Sequence, residues 1–363
     1  MTEDELATSI NLDDLEAPAR ARMSEMAYEY LASGSADELT LAANREAFGK
    51  IRLMPRNLVD VSKIDTALEL FGRRHEFPIL LAPTGYHKLF HPEGELATVR
   101  GADASAAKLV ASIFSTVSFP EMATASKQPL WFQIYVNPDR GFTKQLVEMA
   151  VAAGCGAICI TIDSPVNGPR DRETRAVFQL PEGIERANLS TLGNGIAAAS
   201  HRRVGRNIYS KVRAADVTWK DIEWLRSLTR VPLLLKGILN PEDAITAVKA
   251  GCDGIIVSNH GGRVLDTVPA AVEALPVVVD RIGGKIPVLL DGGIRRGTDA
   301  YKALALGATA VLIGRPYLYG LAIAGAAGVA RAVEILRTEL EMTMALTGRP
   351  NLAAIAPDSI WQN

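Results

Sequence analysis

The sequence has little cysteine and no surplus of charge of either sign. Cys155, Cys159 and Cys252 are the only cysteines, and each lies in an apolar stretch without a partner at metal-ligand spacing. This pattern is typical of reduced, buried thiols and argues against a disulfide scaffold or a metal site. Lys and Arg number 39 against 41 Asp and Glu, a formal net charge of −2. The balance gives no electrostatic reason to expect nucleic acid or an anionic membrane as a partner.

Targeting and membrane-spanning segments are also missing from the sequence pattern. No apolar run is long enough to be predicted as a bilayer span. The stretch Met1–Glu5 is acidic, which is untypical of a secretory or mitochondrial presequence, and Ile360–Asn363 is not a peroxisomal signal. We therefore expect a cytoplasmic location and no membrane partner.

A repeated pattern organises the chain into alternating helices and strands. Residues 153–160, 250–257 and 306–313 each contain a helix end, a glycine, a short turn and an apolar strand. The strands are apolar throughout, as expected for parallel strands that are covered on both faces. Eight such strands are predicted, at Ile79–Pro83, Leu109–Ile113, Leu130–Tyr135, Ala157–Ile162, Leu233–Lys236, Gly254–Val257, Pro287–Leu290 and Ala310–Ile313. The intervening helices include Thr143–Ala153, Pro241–Ala250 and Thr298–Leu306.

This alternation predicts an α/β protein with a (β/α)8 TIM barrel, whose core spans about residues 79–313. An N-terminal helical extension is expected over residues 12–48, and a long, polar, lid-like loop over about 179–218, after strand 4. Gly193–Ala198 in that loop matches a dinucleotide-type glycine pattern, but no apolar strand precedes it, so we reject that interpretation. The whole chain, residues 1–363, is predicted to be one domain.

The segment Val257–Arg263 carries the clearest chemical information. His260 is the side chain best suited to move a proton near neutral pH. Gly261 and Gly262 permit a sharp turn and close approach by another molecule. Arg263 can bind a carboxylate through two parallel hydrogen bonds. A base, bare backbone and an anion-binding group within seven residues indicate chemistry on a small carboxylic acid.

Polar side chains follow most of the predicted strands. In a TIM barrel the active site lies at the carboxyl ends of the strands, so residues far apart in sequence converge there. The sequence therefore predicts one site that contains Thr84, Gln133, Tyr135, Asp163, Lys236, His260, Asp291 and Arg315.

With these motifs in view, the chain resembles the FMN-dependent L-2-hydroxy acid oxidase and dehydrogenase family. The block Ser258–Arg263 is a specific signature, supported in order by His91–Glu95, Lys236-Gly237, Asp291–Gly297 and Gly314–Pro316. The resemblance implies FMN as cofactor and oxidation of an L-2-hydroxy acid, lactate-like or bulkier, such as mandelate. It further implies molecular oxygen as acceptor, hydrogen peroxide as product and a homotetramer. No metal site is expected.

The resemblance also implies a role for each catalytic and substrate-binding residue. His260 would take a proton from the substrate while a hydride or its equivalent passes to flavin N5, and Asp163 would stabilise the charged His260. Arg170 and Arg263 would hold the substrate carboxylate. Tyr30 and Tyr135 would donate hydrogen bonds to the carboxylate and the substrate hydroxyl.

The same resemblance assigns a set of cofactor-binding residues. Lys236 would lie near flavin N1 and O2, where a fixed cation raises the electron affinity of the flavin. The phosphate site would follow strands 7 and 8, the usual place in these barrels. The ring contacts are Thr84, Ser112, Gln133 and Thr161; the remaining positions are Ser258, Asp291, Gly292, Gly293, Arg295, Gly314 and Arg315.

Some residues depart from the family pattern. Phe114 stands where glycolate oxidase-like chains have tryptophan, and Gly85 where many have alanine. Both changes are expected to enlarge the pocket and to favour a bulky or aromatic substrate. Val264 replaces a common glutamine. If the loop register slips, Arg172 replaces Arg170 as the carboxylate ligand.

Alternative interpretations stay open at this point. The same half-reaction could deliver electrons to a quinone or a protein acceptor, or the chain could be an FMN-dependent isomerase. A third class is a non-catalytic flavin-binding protein or a maturation factor acting on a peptide-derived hydroxy acid. Among the other histidines, His75 is expected to be exposed in a hairpin and His91 to precede a helix. His87 is expected to be structural or to lie at the rim of the site.

Overall fold

The computed structural model describes residue 6, residues 8–190 and residues 208–361, and within them eight parallel strands close into a barrel. Each strand pairs with the next along the chain, and the last pairs with the first. The predicted fold class is confirmed, and every predicted strand is present within two residues of its expected ends. The barrel strands are β3 (Ile79–Leu81), β4 (Lys108–Ser112), β5 (Trp131–Ile134), β6 (Ala157–Thr161), β7 (Leu233–Ile238), β8 (Gly254–Val257), β9 (Val288–Asp291) and β10 (Ala310–Ile313).

Helices follow the barrel strands and form the outer layer. Two of the predicted helices begin at side-chain caps: Asp139 accepts from the backbone of Phe142, and Asn240 accepts from that of Glu242 with Pro241 next in sequence. The helices are α1 (Glu16–Arg20), α2 (Glu25–Ala32), α3 (Leu39–Lys50), α4 (Gly94–Ser105), α5 (Phe119–Ala125), α6 (Arg140–Ala152), α7 (Asp171–Arg175), α8 (Ala187–Ser190), α9 (Trp219–Leu228), α10 (Pro241–Lys249), α11 (Ala271–Ile282), α12 (Gly297–Ala305) and α13 (Arg315–Leu346). Short 3-10 turns lie at Asp13–Leu15, His87–Leu89, Leu352–Ala354 and Pro357–Ser359.

The N-terminal extension is helical but divided. The sequence predicts a helical segment over 12–48, and the structure has three helices there, separated over 21–24 and over 33–38. Ser24 begins α2 because its hydroxyl accepts a hydrogen bond from the backbone of Ala27. Leu15 and Ala19 are fully buried, so the extension packs on the barrel and brings Tyr30 to the carboxyl ends of the strands.

The alternation of side chains along each strand divides the core in two. One cluster, including Leu80, Val110 and Leu234, fills the barrel interior, while the other packs between sheet and helices. The hairpin of β1 (Leu68–Leu70) and β2 (Arg73–His75) covers the amino-terminal end, where the ring of Phe71 lies 5.6 Å from that of Trp131. The opposite end is left for the cavity described below.

The hairpin at residues 68–75 is present, but His75 is half-buried rather than exposed, and burial lowers its pKa. Helix α13 is long and apolar enough to cross a membrane, contrary to the prediction, although 67% of its most apolar window is buried within the fold. All three cysteines are free and buried, as expected. Residues 191–207 of the predicted lid, including the Gly193–Ala198 pattern, lie outside the described residues.

Candidate active site

A cavity of about 460 Å³ lies at the carboxyl ends of the barrel strands. Nearly all the residues that the sequence predicts for the site line it: Tyr30, Thr84, Gly85, Ser112, Phe114, Gln133, Tyr135, Thr161, Arg170, Lys236, His260, Arg263, Asp291, Gly292, Gly293, Arg295, Gly314 and Arg315. Asp163 and Ser258 lie behind this wall and act on it through other side chains. The topology explains the convergence, because every parallel strand ends at the same rim.

His260 is held in one orientation by two neighbours. Its Nδ1 lies 2.8 Å from Oδ1 of Asp163, and its backbone N–H donates to Oγ of Ser258 at 3.0 Å. His260 has a φ of 58°, which is uncommon for a residue with a side chain, so the turn after β8 is strained where the candidate base lies. Nε2 is left to face the cavity, which is the arrangement that a proton acceptor needs.

The electrostatics of His260 and Asp163 are coupled. Burial lowers the pKa of His260, while Asp163 opposes that change. Burial raises the pKa of Asp163, but His260, Lys236 and Arg213 more than offset it, so the pKa of Asp163 falls below its usual range. The result is an ionised Asp163 beside a neutral imidazole, which can accept a proton and be stabilised once charged.

Two partly buried arginines lie where the sequence predicts a carboxylate-binding group. Oε2 of Glu173 lies 3.0 Å from Nη1 of Arg170 and 3.5 Å from Nη2 of Arg263. Burial and neighbouring Arg170 lower the pKa of Arg263 to about 10. Two guanidinium groups share the single carboxylate of Glu173, so the pair keeps a net positive charge. Tyr30 lies beneath Arg263, with its ring centre 5.4 Å from the guanidinium carbon.

Arg172, the alternative carboxylate ligand, lies outside the cavity wall. Its Nε is 2.7 Å from Oε2 of Glu29 and its Nη1 is 3.1 Å from Oε2 of Glu38. These two carboxylates bind the guanidinium of Arg172. Arg170, and not Arg172, therefore lines the cavity.

Lys236 lies at the centre of a buried polar group beneath the cavity. Its Nζ lies 2.8 Å from Oδ2 of Asp291 and donates to Oγ of Ser258 at 2.8 Å. Burial alone would lower the pKa of Lys236, but the carboxylates of Asp291 and Asp163 raise it by a larger amount. The pKa of Lys236 is therefore raised, and its ammonium group stays charged. A fixed cation in this position can stabilise negative charge on a molecule bound above it.

The residues at the other end of the cavity fit a phosphate group. Arg295 and Arg315 are both partly buried, and burial lowers the pKa of each, that of Arg315 to about 9. The glycines Gly292 and Gly293 have φ of 101° and 82° and expose backbone beside them. Helix α13 begins at Arg315, so its amino-terminal amides add to this positive region.

The middle of the cavity fits a polar aromatic ring. Nε2 of Gln133 is buried and has no hydrogen-bond partner among the described residues, while Oε1 accepts from Ser112 at 3.1 Å. A buried amide donor without a partner is costly, so the site is complementary to a ligand that accepts there. Thr84 is fixed beside it by His87, whose Nε2 lies 2.8 Å away, and by the hydroxyl of Tyr317.

His87 and His91 agree with their expected roles. His87 is buried and bridges Thr84 and Thr98, with Nδ1 2.9 Å from the Thr98 hydroxyl, so it is structural rather than a rim residue. His91 precedes α4, and its Nδ1 accepts from the backbone of Glu93.

Phe114 and Gly85 form one wall of the cavity, but the space beside Gly85 is not open. A Cβ at position 85 would lie 2.9 Å from Cβ of Phe114 and 3.3 Å from the hydroxyl of Tyr30. The expectation that Gly85 enlarges the pocket is therefore wrong: its missing side chain allows Phe114 and Tyr30 to pack closely. Phe114 itself faces the cavity and lies between the rings of Tyr86 and Tyr135.

Among the cavity-lining residues that sequence reasoning did not assign to the site are Glu173, Tyr86, Arg186 and Arg213. Glu173 follows Arg170 by three residues at the start of a helix, a spacing that brings the two side chains together. No comparable pattern marks Arg186 and Arg213, which flank the polar loop and meet the site only through the fold.

The fold and the cavity together define a TIM barrel whose strand ends carry a histidine–aspartate pair, two neighbouring arginines and a region that fits a phosphate group. The sequence pattern of the FMN-dependent dehydrogenase family matches residues 19–362. The chain is 46% identical to an L-lactate oxidase of Nostoc sp., covering 96% of this chain and 97% of that one. It is 44% identical to a peroxisomal (S)-2-hydroxyacid oxidase of Arabidopsis thaliana, over 97% and 96%.

Solved structures are similar to the same extent. A mandelate oxidase with (S)-4-hydroxymandelic acid superposes with a TM-score of 0.90 at 40% identity, covering 97% of this chain and 98% of that one. The chain therefore belongs to the FMN-dependent dehydrogenase family and uses FMN. The family resemblance noted from the sequence is confirmed.

Proposed function

We propose that the protein oxidises an L-2-hydroxy acid to the 2-keto acid and passes the electrons to oxygen, giving hydrogen peroxide. The observation that carries this proposal is the position of His260, bonded to Asp163, on the same cavity wall as Arg170 and Arg263. A base beside a carboxylate-binding group matches a substrate whose hydroxyl-bearing carbon adjoins its carboxylate. The relatives named above are oxidases of such acids.

The chain's own residues divide the work of the proposed reaction. Arg170 and Arg263 bind the substrate carboxylate, and the hydroxyl of Tyr30 donates to it. Tyr135 donates to the substrate hydroxyl, and its raised pKa, caused mainly by burial, keeps it protonated. His260 accepts the proton at Nε2, and Asp163 stabilises the imidazolium that forms.

The cofactor-facing residues hold and tune the flavin. Bound FMN supplies the two-electron acceptor. Arg295, Arg315 and the backbone at Gly293 and Gly314 would hold its phosphate, and Lys236, kept charged by Asp291, would face the part of the ring where negative charge collects. Thr84, Ser112, Gln133 and Thr161 would contact the ring. Ser258 orients Lys236 and His260 from behind.

The proposed function is tested by mixing the protein anaerobically with a panel of (S)-2-hydroxy acids and then admitting air. Bleaching of the flavin by one substrate class, followed by rapid return of colour with one peroxide per turnover, is the expected result. Bleaching without return identifies a dehydrogenase with a quinone or protein acceptor. A yellow protein that no hydroxy acid bleaches contradicts the proposal and favours the isomerase or maturation alternatives. The homotetramer and the cytoplasmic location stay predictions.

Phe114 provides a test of substrate size. Phe114→Trp is expected to lower kcat/KM for (S)-mandelate about tenfold relative to (S)-lactate, because the larger ring fills space that a phenyl group would use. Phe114→Leu should raise kcat/KM for (S)-mandelate relative to that for (S)-lactate. Steady-state kinetics with both substrates measures the ratio, and equal effects on the two would remove Phe114 from substrate selection.

Gly85→Ala should behave differently from Phe114→Trp. The new methyl group would displace Phe114 or the hydroxyl of Tyr30, so we expect kcat/KM for lactate and mandelate to fall together. The same kinetic comparison measures this. A selective loss with mandelate would show instead that position 85 borders the substrate side chain.

A further inference from the structure

Two arginines on the outer cavity wall are not among the substrate or cofactor ligands named above, although Arg213 helps to lower the pKa of Asp163. Arg186, on the segment that leads into α8, is only 7% exposed, and Arg213 is half-buried on the segment before α9. Both line the same cavity as His260, Arg170 and Arg263. Two extra cations at the substrate end of a largely buried site call for a physical explanation.

Their contacts hold them against aromatic rings. Nε of Arg186 donates to the hydroxyl of Tyr86 at 2.7 Å, and its guanidinium carbon lies 5.2 Å from the ring centre of Phe114. The guanidinium carbon of Arg213 lies 5.4 Å from the ring centre of Tyr135. Arg213 also donates to the side-chain oxygen of Asn167. Both guanidinium groups are thereby placed in fixed positions, and each keeps N–H donors that these contacts do not use.

Lys236, Arg170 and Arg263 each lie within ion-pair distance of a carboxylate, whereas Arg186 and Arg213 have no such ion pair among the described residues. Lys211 also lines the cavity, but it is exposed to solvent. Lys236 is paired with Asp291. Arg170 and Arg263 share Glu173 and leave positive charge for one substrate carboxylate.

Arg295 and Arg315 lie at the end of the cavity that fits the cofactor phosphate. Within residues 8–190 and 208–361, no carboxylate forms an ion pair with Arg186 or Arg213. Removing a cation from water without an anionic partner is unfavourable, so a ligand anion would be stabilised strongly there.

We propose that Arg186 and Arg213 bind a second anionic group on the substrate, so that the preferred substrates are 2-hydroxy acids whose side chain ends in a carboxylate. This inference rests on the proposed function and names its substrate class. Arg170 and Arg263 bind the carboxylate next to the hydroxyl-bearing carbon. The apolar faces of Phe114 and Tyr135 contact the methylene groups between the two ends, and the guanidinium groups against those rings meet the distal carboxylate.

The test compares two substrates of nearly the same shape that differ in distal charge. (S)-2-Hydroxyglutarate carries the second carboxylate, and its 5-amide replaces that carboxylate with a neutral group. We expect kcat/KM for the diacid to exceed that for the amide by about tenfold or more, as is usual for hydrogen bonds to a charged group in a buried site. A ratio near one would overturn the proposal.

Variants assign the preference to the two arginines. Arg186→Gln and Arg213→Gln are each expected to reduce the diacid-to-amide ratio by about fivefold to tenfold. Arg175→Gln is the matched control, because it removes the same charge from a side chain that is 76% exposed. It should leave the ratio within about twofold, since an exposed charge is screened by solvent. An equal change in all three would indicate only a general charge effect and would contradict the proposal.

The lysine variants Arg186→Lys and Arg213→Lys keep the charge and should retain most of the preference. They also guard against loss through misfolding, and FMN content and the melting temperature are measured for every variant. If (S)-lactate and the amide reduce the flavin but the diacid is no better, this inference fails and the proposed function stands. If no hydroxy acid reduces the flavin, both fail.

Discussion

His260→Ala is expected to retain FMN and to slow flavin reduction by about 10²–10⁴-fold, the range typical of a lost general base. His260 faces the cavity, and no other histidine lines it within the described residues. Among the described residues no hydrogen bond joins the imidazole to Lys236, Arg295 or Arg315, so cofactor binding should persist. Anaerobic stopped-flow spectroscopy with the preferred (S)-2-hydroxy acid measures the reduction rate directly.

His75→Gln is the matched control for that measurement. His75 lies in the hairpin at the opposite end of the barrel, where it cannot take part in proton transfer. We expect its reduction rate to stay close to that of the unchanged protein. Substantial turnover by His260→Ala, at normal FMN content, would rule out His260 as the base. Loss of FMN from that variant would instead give the imidazole a part in holding the cofactor.

Asp163→Asn is expected to lower the rate of flavin reduction by at least about a hundredfold, because the imidazolium would lose its charged partner. Asp163 Oδ1 lies 2.8 Å from Nδ1 of His260, and an asparagine of the same size keeps the packing but not the charge. Asp163→Glu keeps the charge and should recover part of the rate. Equal rates of flavin reduction for Asp163→Asn and the unchanged protein would contradict a role for this carboxylate.

The pH profile gives a second measurement on the same pair. The base must be neutral to accept a proton, so kcat/KM falls as pH drops through the pKa of His260. Burial places that pKa below 6.5, and we expect the plateau to extend below pH 6.5 before the acid limb begins. Asp163 raises the pKa of His260, so in Asp163→Asn the acid limb of the kcat/KM profile should move to lower pH. The maximum value of kcat/KM on the plateau should fall as well. A limb that moves to higher pH would contradict this electrostatic assignment.

Much of the site could be predicted because each part has a local cause. The buried run Gly254–Val257 followed by a histidine and two glycines is recognisable without any neighbour. Knowing that a barrel brings strand ends together was then enough to group Lys236, His260 and Asp291 in one site. The eight strands were equally clear, because a strand buried on both faces is apolar at every position.

Other features depend on contacts that sequence spacing does not encode. Gly85 looked like free space, yet its neighbours are Phe114, some thirty positions away in the chain, and Tyr30 from the N-terminal extension. Ser258 looked like a cofactor ligand and instead supports Lys236 and His260 from behind the wall. In both cases the surroundings come from other elements, so only the folded chain reveals them.

The sequence by itself determined the barrel, the family and the cofactor, and it predicted the base, because each follows from a contiguous motif or from a periodicity that short-range geometry produces. The tertiary structure alone decided how the charges of the cavity are distributed. It joined Glu173 to two arginines and placed Arg186 and Arg213 on the outer wall. Electrostatic interactions depend on distance and burial rather than on order along the chain, and those two quantities exist only after folding.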